Sequence, residues 1–154
     1  MNRSITSLAV IVLAACADTA PDTFPAPPSG LEVAWAFDDC APWDGAAATI
    51  YLAADSATGV REAPYPHLWV SLYVPSNDLV GRTFRWDESD KNTGGAMWCL
   101  EPGRCEAAIA AEVTVREGTD DTGVFGVIDL TFPTRGRVTG GFRAAWMSHE
   151  LLCG

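Results

Sequence analysis

The sequence is short of the residues on which most site chemistry depends. Its 154 residues include two histidines, His67 and His149. No C-x2-C pair occurs, so a zinc site lacks both the histidines and the paired cysteines that it needs. The nearest approach to a zinc-protease helix is His149-Glu150-Leu151-Leu152-Cys153, with cysteine where H-E-x-x-H requires its second histidine. G-x-S-x-G is missing, so a serine hydrolase of that kind has no support. Neither G-x-G-x-x-G nor a P-loop is present, and nothing points to a nucleotide or any other cofactor. The Ser-rich motifs of penicillin-binding enzymes are absent too. Basic residues are few, 10 Lys and Arg against 20 Asp and Glu, for a net charge of −10. Phosphate binding relies on clustered Lys and Arg, which argues against nucleic acid as a partner. The same deficit argues against electrostatic contact with anionic lipid. A solvated acidic surface accounts for the charge. No repeat of solenoid or propeller length is visible.

What is present begins at the N-terminus. Arg3 precedes an apolar run of 11 residues from Ile5 to Ala15, which ends on Leu13-Ala14-Ala15 before Cys16. A positive start, an apolar middle and small residues at the cut are the layout of an export signal. The run is too short to span a bilayer, which takes about 20 residues. Leu13-Ala14-Ala15-Cys16 resembles the lipobox of bacterial lipoproteins. That resemblance implies cleavage before Cys16, a diacylglyceryl group on Cys16, and an exported protein anchored to the membrane by that lipid. In that group an Asp directly after the cysteine marks retention at the inner membrane. Here Ala17 follows and Asp18 comes next. In a host with two membranes this implies the outer membrane, on its periplasmic or its surface side.

The expected organisation is a signal peptide over 1–15, a lipidated tether over 16–30 and one domain over 31–154. The tether carries Pro21, Pro25, Pro27 and Pro28 among small and acidic residues. It predicts an extended spacer of about 3 Å per residue.

Five cysteines are an odd number, and the lipobox removes the odd one. Cys40, Cys99, Cys105 and Cys153 remain for two disulfides, as export permits. Four cysteines allow three connectivities. Local geometry favours Cys99 with Cys105, because Pro102-Gly103 between them is a turn signal. Cys40 and Cys153 would then close a long loop and tie the two ends of the domain.

From Leu31 the apolar period is two. Leu31, Val33, Trp35 and Phe37 predict one strand with a buried face. A second runs over about 48–53, with Ile50 and Leu52 opposite Thr49 and Tyr51. A third runs over 65–74, with Leu68, Val70, Leu72 and Val74 opposite His67, Trp69, Ser71 and Tyr73. Shorter strands follow over 83–86 and 96–100. The segment 106–116 predicts the second arm of a cystine hairpin, with Ile109, Ala111, Val113 and Val115 on one side. Glu117 to Gly123, with Asp120 and Asp121, reads as a turn. Strands over 124–132 and 137–146 close the chain, where Gly126, Gly140 and Gly141 need close packing or a bulge to be accommodated. About eight short strands at regular spacing predict an all-β fold, an antiparallel β-sandwich or small β-barrel with two disulfides. The pair Gly123–Phe132 and Gly136–Trp146 resembles the closing hairpin of small all-β lipoproteins of bacteria. This resemblance spans Thr122 to Trp146 and the lipobox, and implies no activity.

Six tryptophans are many for this length. Trp35 and Trp146 fall on predicted core faces. Tyr51, His67, Trp69 and Tyr73 fall opposite the aliphatic faces and form the candidate binding face. Rings on an uncovered sheet face stack on sugars or grip a protein partner; under a neighbouring loop they are packing. His67, a lone mid-strand histidine, reads first as structural. Glu88, Asp90 and Asn92 alternate like calcium ligands, but Thr93 and Cys99 stand where glycine and a carboxylate belong, so a solvated loop is expected. Three functions remain. The preferred one is a lipid-anchored envelope module, binding or structural, whose partner is an envelope protein or a glycan. The second is a small hydrolase with two carboxylates about 5–10 Å apart across a cleft. The third is an inhibitor that inserts Glu101-Pro102-Gly103-Arg104 into another protein.

Overall fold

Val33 to Phe37 are all apolar, and such a run suits a strand covered on both faces. In the computed structural model, which describes residues 24–56, 59, 62–119, 123–148 and 153, this segment is the start of β1, Val33–Cys40. Eight further strands follow: β2 Ala46–Ala53, β3 His67–Leu72, β4 Thr83–Asp87, β5 Gly94–Glu101, β6 Arg104–Ala107, β7 Ala110–Thr119, β8 Gly123–Phe132 and β9 Gly136–Trp146. A short 3-10 turn at Ser76–Asp78 is the one helical element among the described residues. The signal segment, Cys16, Asp120, Asp121 and His149 lie outside the described residues.

The nine strands form one sheet in the order β4-β7-β8-β9-β1-β2-β3-β5-β6. The sheet is not closed into a barrel. Its two halves nonetheless share one core. Ile50, Leu68, Val70 and Leu72 from β2 and β3 belong to the same buried cluster as Phe84, Val113, Leu130 and Phe142 from β4, β7, β8 and β9. The inward faces of β2 and β3 are those that the alternation predicts. The architecture is thus all-β, with the two halves layered on a common core as in a sandwich and joined by hydrogen bonds through β9 and β1.

Four details differ from the expectation. First, one pair is parallel: Ala34, Trp35 and Ala36 of β1 run alongside Ala144, Ala145 and Trp146 of β9. Parallel neighbours need a long connection, and here the rest of the domain supplies it. Second, the arm expected over 106–116 is two strands. Ala108 N–H donates to Ala96 of β5, and Ile109 N–H donates to Thr131 of β8. The chain therefore crosses from one half of the sheet to the other between adjacent residues. Ala108 is buried while Ile109 is partly exposed, the reverse of the predicted facing.

Third, β1 turns its large side chains away from the shared core. Ala36 faces that core, with Ala34 packed against it, whereas Trp35 and Phe37 are buried in a second, smaller cluster with Ala53. Ala63 and Met147 pack over it. A strand covered on both faces gives alternation no polar side to read. Fourth, the last part of the expected spacer is docked. Pro28 is buried, Gly141 N–H donates to the Ala26 carbonyl, and the Arg143 guanidinium lies 4.9 Å from the Phe24 ring. Gly140 and Gly141 make this possible, since a side chain at either position would strike Pro28, Pro25 or Phe24. The docked segment covers the open edge of β9 before β1 begins, as edge protection requires.

Both disulfides are present. Cys99 and Cys105 sit opposite each other in the β5–β6 hairpin. Cys40, at the end of β1, is joined to Cys153 across 113 residues.

Candidate functional site

The outer face of β1, β2, β3 and β5 is built in cross-strand rows. Register places Trp35 beside Tyr51, Tyr51 beside Trp69 and Trp69 beside Met97. Two residues along, the row is Phe37, Thr49, Ser71 and Gly95. Residues two apart share a face, so both rows point outward. The first row is bulky; the second is small after Phe37. The step between them leaves a recess of about 180 Å³. Thr49 and Ser71 form its floor. Tyr51 and Trp69 stand on one side, and Asp39, Pro42 and Tyr73 on the other.

The walls are held by ring packing. The Tyr51 ring is stacked with Trp35, centroids 5.3 Å apart, and with Phe37 at 5.8 Å. Trp43 meets Tyr73 edge-on at 4.9 Å and is itself 55% exposed. Offset and edge-on pairs of this kind add to the area that the rings bury. The floor is a hydrogen-bonded strip across three strands. Thr49 Oγ1 donates to Asp39 Oδ2 at 3.1 Å, and Thr49 Oγ1 lies 2.6 Å from Ser71 Oγ. A threonine hydroxyl has one hydrogen. With that hydrogen on Asp39, the Ser71 hydroxyl donates to Thr49 and keeps its own lone pairs. Asp39 Oδ1 accepts the Cys40 N–H at 2.9 Å. Burial pushes the Tyr73 phenol above its ordinary range, so its hydroxyl remains a donor at neutral pH.

Of the four residues of the candidate face, Tyr51, Trp69 and Tyr73 are brought together around this recess. His67 is not. It is 7% exposed, with the Tyr65 ring 4.7 Å away and the Tyr51 ring 5.5 Å away. It sits at the start of β3, where the preceding turn covers it, outside the lining of the recess. Burial lowers its pKa, opposed by the backbone carbonyls of Pro64 and Ala63, so it is neutral at pH 7. Sequence reading missed Asp39, Pro42, Thr49 and Ser71 as partners of the rings. Thr49 and Ser71 have the same strand parity as Tyr51 and Trp69, which was a usable signal. Their alignment depends on register, which alternation within one strand does not reveal.

The opposite half carries the carboxylates. Glu112 of β7 lies beside Asp129 of β8 on the outer face. Each is held by an arginine: Arg85 Nε is 2.7 Å from Glu112, and Arg137 makes two bonds to Asp129 at 2.7 and 2.5 Å. The Arg137 guanidinium keeps the Asp129 carboxyl below its usual range. A general acid in a carboxylate pair needs the opposite shift.

The loop after β4 is turn chemistry. Asp87 Oδ1 accepts hydrogen bonds from Ser89 and Asp90, and Asp90 Oδ1 accepts the Asn92 N–H. No group of three His, Cys, Asp or Glu side chains that could hold a metal ion occurs among the described residues. At the β5–β6 tip, Glu101, Pro102, Gly103 and Arg104 are exposed, and Arg104 reaches Glu101 at 3.3 Å. Beside this tip, a cleft of about 490 Å³ runs to Thr134 and Arg135, with the Arg135 guanidinium 3.8 Å over the buried Trp98 ring. No helix among the described residues is long and apolar enough to cross a membrane. No protein-family model, curated protein or solved structure matches the chain.

Proposed function

We propose that the protein is a lipid-anchored binding module of the bacterial cell envelope. In this reading Cys16 carries the lipid, the outer membrane holds it, and the recess on β1, β2 and β3 is the contact surface. The observation that carries the reading is the recess itself: a buried polar floor between aromatic walls, beside the packed rings of Trp35 and Phe37. Sites of this composition hold small ligands, with the rings supplying area and a few polar groups supplying orientation. The resemblance of Leu13-Ala14-Ala15-Cys16 to a lipobox supports the anchor. With the domain docked from Phe24 onward, the eight residue steps from Cys16 to Phe24 reach at most about 29 Å. The ligand is therefore sought in the envelope layers next to that membrane.

Two measurements test this. Cys16→Ser is expected to abolish labelling by radioactive palmitate and to release the protein from the membrane fraction. Cross-linking in the native membrane fraction is expected to retain an envelope component on the wild type and not on Trp69→Ala/Tyr73→Ala. Equal retention by both, with both folded, would sink the recess as the contact surface. A second reading, insertion of the β5–β6 tip into another protein, is favoured by its exposure and its Glu101–Arg104 pair. That reading predicts that Glu101→Ala/Arg104→Ala, and not the Trp69 variant, loses the retained component.

A further inference from the structure

We infer that the ligand of the recess is a saccharide, and that the recess takes one pyranose ring of an envelope glycan. The inference rests on the reading of the recess as the contact surface and adds the chemistry of what binds there.

Size comes first. Pockets for drug-sized ligands run to about 300–1,000 Å³. A recess of about 180 Å³ has room for one six-membered ring. Chemistry comes second. A pyranose has apolar C–H faces and a belt of hydroxyls at its edge. The recess offers aromatic walls, Tyr51 and Trp69 facing Tyr73, over a hydroxyl floor. A sugar ring seated between those walls lays its C–H faces on the rings and its hydroxyl edge on the floor.

The direction of the floor hydrogen bonds fixes what that edge meets. The chain runs from Ser71 to Thr49 to the Asp39 carboxylate. Its open end is the pair of Ser71 lone pairs, which accept a hydrogen from a ligand hydroxyl. Ending on a carboxylate polarises the chain and strengthens each acceptor along it. The donor is Tyr73. A side chain at Gly95 would come within 3.2 Å of Tyr73 Oη, so glycine there lets the phenol lie across β5. Acceptor on the floor and donor on the wall suit a group that both gives and takes a hydrogen bond, which a sugar hydroxyl does.

Other small ligands use this arrangement less well. A phosphate finds no Lys or Arg in the lining, and Asp39 opposes it. A quaternary ammonium would use the rings. It has no hydrogen to give to Ser71 and would leave the lone pairs of that hydroxyl desolvated without a donor. Asp39 already accepts from Thr49 and from the Cys40 N–H. A peptide strand adds to a sheet edge, and this site lies on a face between paired strands.

The test uses the mature lipidated protein in a detergent without sugar headgroups. Titrations with N-acetylglucosamine–N-acetylmuramic acid disaccharide and with lipopolysaccharide core oligosaccharide are read by tryptophan fluorescence and saturation-transfer NMR. Phosphocholine and inorganic phosphate are the controls. Binding of at least one saccharide in the high micromolar to millimolar range is expected. Ser71→Ala should weaken it about tenfold, as loss of one hydrogen bond to the ligand does. Trp69→Ala should weaken it more. Asp129→Asn, on the other half of the sheet, should leave it unchanged. Unfolding midpoints of all variants guard against loss of fold, and Trp69→Phe, which keeps a ring, should bind more strongly than Trp69→Ala.

Phosphocholine binding that depends on Trp69 would overturn the saccharide. So would saccharide binding that survives both Ser71→Ala and Trp69→Ala. If no saccharide binds while a protein is still retained from the membrane fraction in a Trp69-dependent way, the saccharide falls and the binding module stands. If neither is seen, both fall.

Discussion

On β1, β2, β3 and β5 the central outer row is Trp35, Tyr51, Trp69 and Met97; on β4, β7, β8 and β9 it is Arg85, Glu112, Asp129 and Thr139. Both rows sit on one continuous ladder over one core. The backbone therefore does not decide their difference; cover does. Trp35 and Phe37 are buried under Ala63 and Met147, close to where Cys153 is tied to Cys40. The charged row is exposed, and its charges answer one another across strands. A roofed apolar face contributes stability and leaves a recess only where its rows step down in size. An open charged face contributes solubility, and its ion pairs are worth little because water screens them. A ligand gains most by displacing water from the first kind of face, which is why the proposed site lies there.

The sharpest way to break the comparison is to cut the tie between the end of β1 and Cys153. Cys40→Ser/Cys153→Ser opens a loop of 113 residues. Chain entropy alone puts the loss at about 4–5 kcal/mol. The expected outcome is a large drop in urea midpoint for this variant, at least equalled by the wild type under reductant, which opens Cys99–Cys105 as well. Should the midpoint hold, this tie is not what stabilises the half of the sheet that carries the aromatic face. Phe37→Ala comes next. The side chain is 1% exposed and in ring contact with Tyr51. Emptying such a site costs about 3–5 kcal/mol. Thermal unfolding checks it, and a loss under 1 kcal/mol would mean that the second cluster is loosely packed.

Much of this contrast was readable before the fold. The alternation in β2 and β3 separated aliphatic from aromatic sides correctly, and Pro102-Gly103 located the cystine hairpin. Gly126, Gly140 and Gly141 were marked as needing close neighbours. They have them: a side chain at Gly126 would strike Phe142, and the other two admit the docked segment. What was not readable depends on non-local pairing. Nothing within Val33–Phe37 tells which apolar face meets the shared core. The crossing at Ala108 and Ile109 depends on two distant hydrogen-bond partners. The floor of the recess needs Thr49 and Ser71 aligned on neighbouring strands, and register is set by pairs of strands rather than by either alone.

Acid should affect the two faces in different windows. The folded pKa of His67 is lowered by burial from 6.5. The unfolded chain thus binds the proton first, and the stability that neutral His67 permits is present above pH 6.5. It is lost as the pH falls from there toward the folded value. One proton sets the slope, at most about 1.4 kcal/mol per pH unit. His67→Phe should flatten the curve of unfolding free energy just below pH 6.5. A wild-type curve already flat there would count against His67 being buried and neutral.

Asp129 belongs to the other face, and its effect is the smallest and latest. Its folded pKa is lowered from 3.8, first by the hydrogen bonds from Arg137. Its contribution is present above 3.8 and is lost as the pH falls through the folded value, well below the His67 window. The pair is exposed, with the Asp129 side chain 39% accessible, so screening holds its worth under about 1 kcal/mol. Asp129→Asn should change the urea midpoint slightly at low salt, and less at 1 M, where the Debye length is about 3 Å. It should leave the slope just below pH 6.5 untouched. A large, salt-resistant loss in this variant would mean that the charged face has cover of its own. The contrast between the two faces would then rest on chemistry alone and no longer on burial.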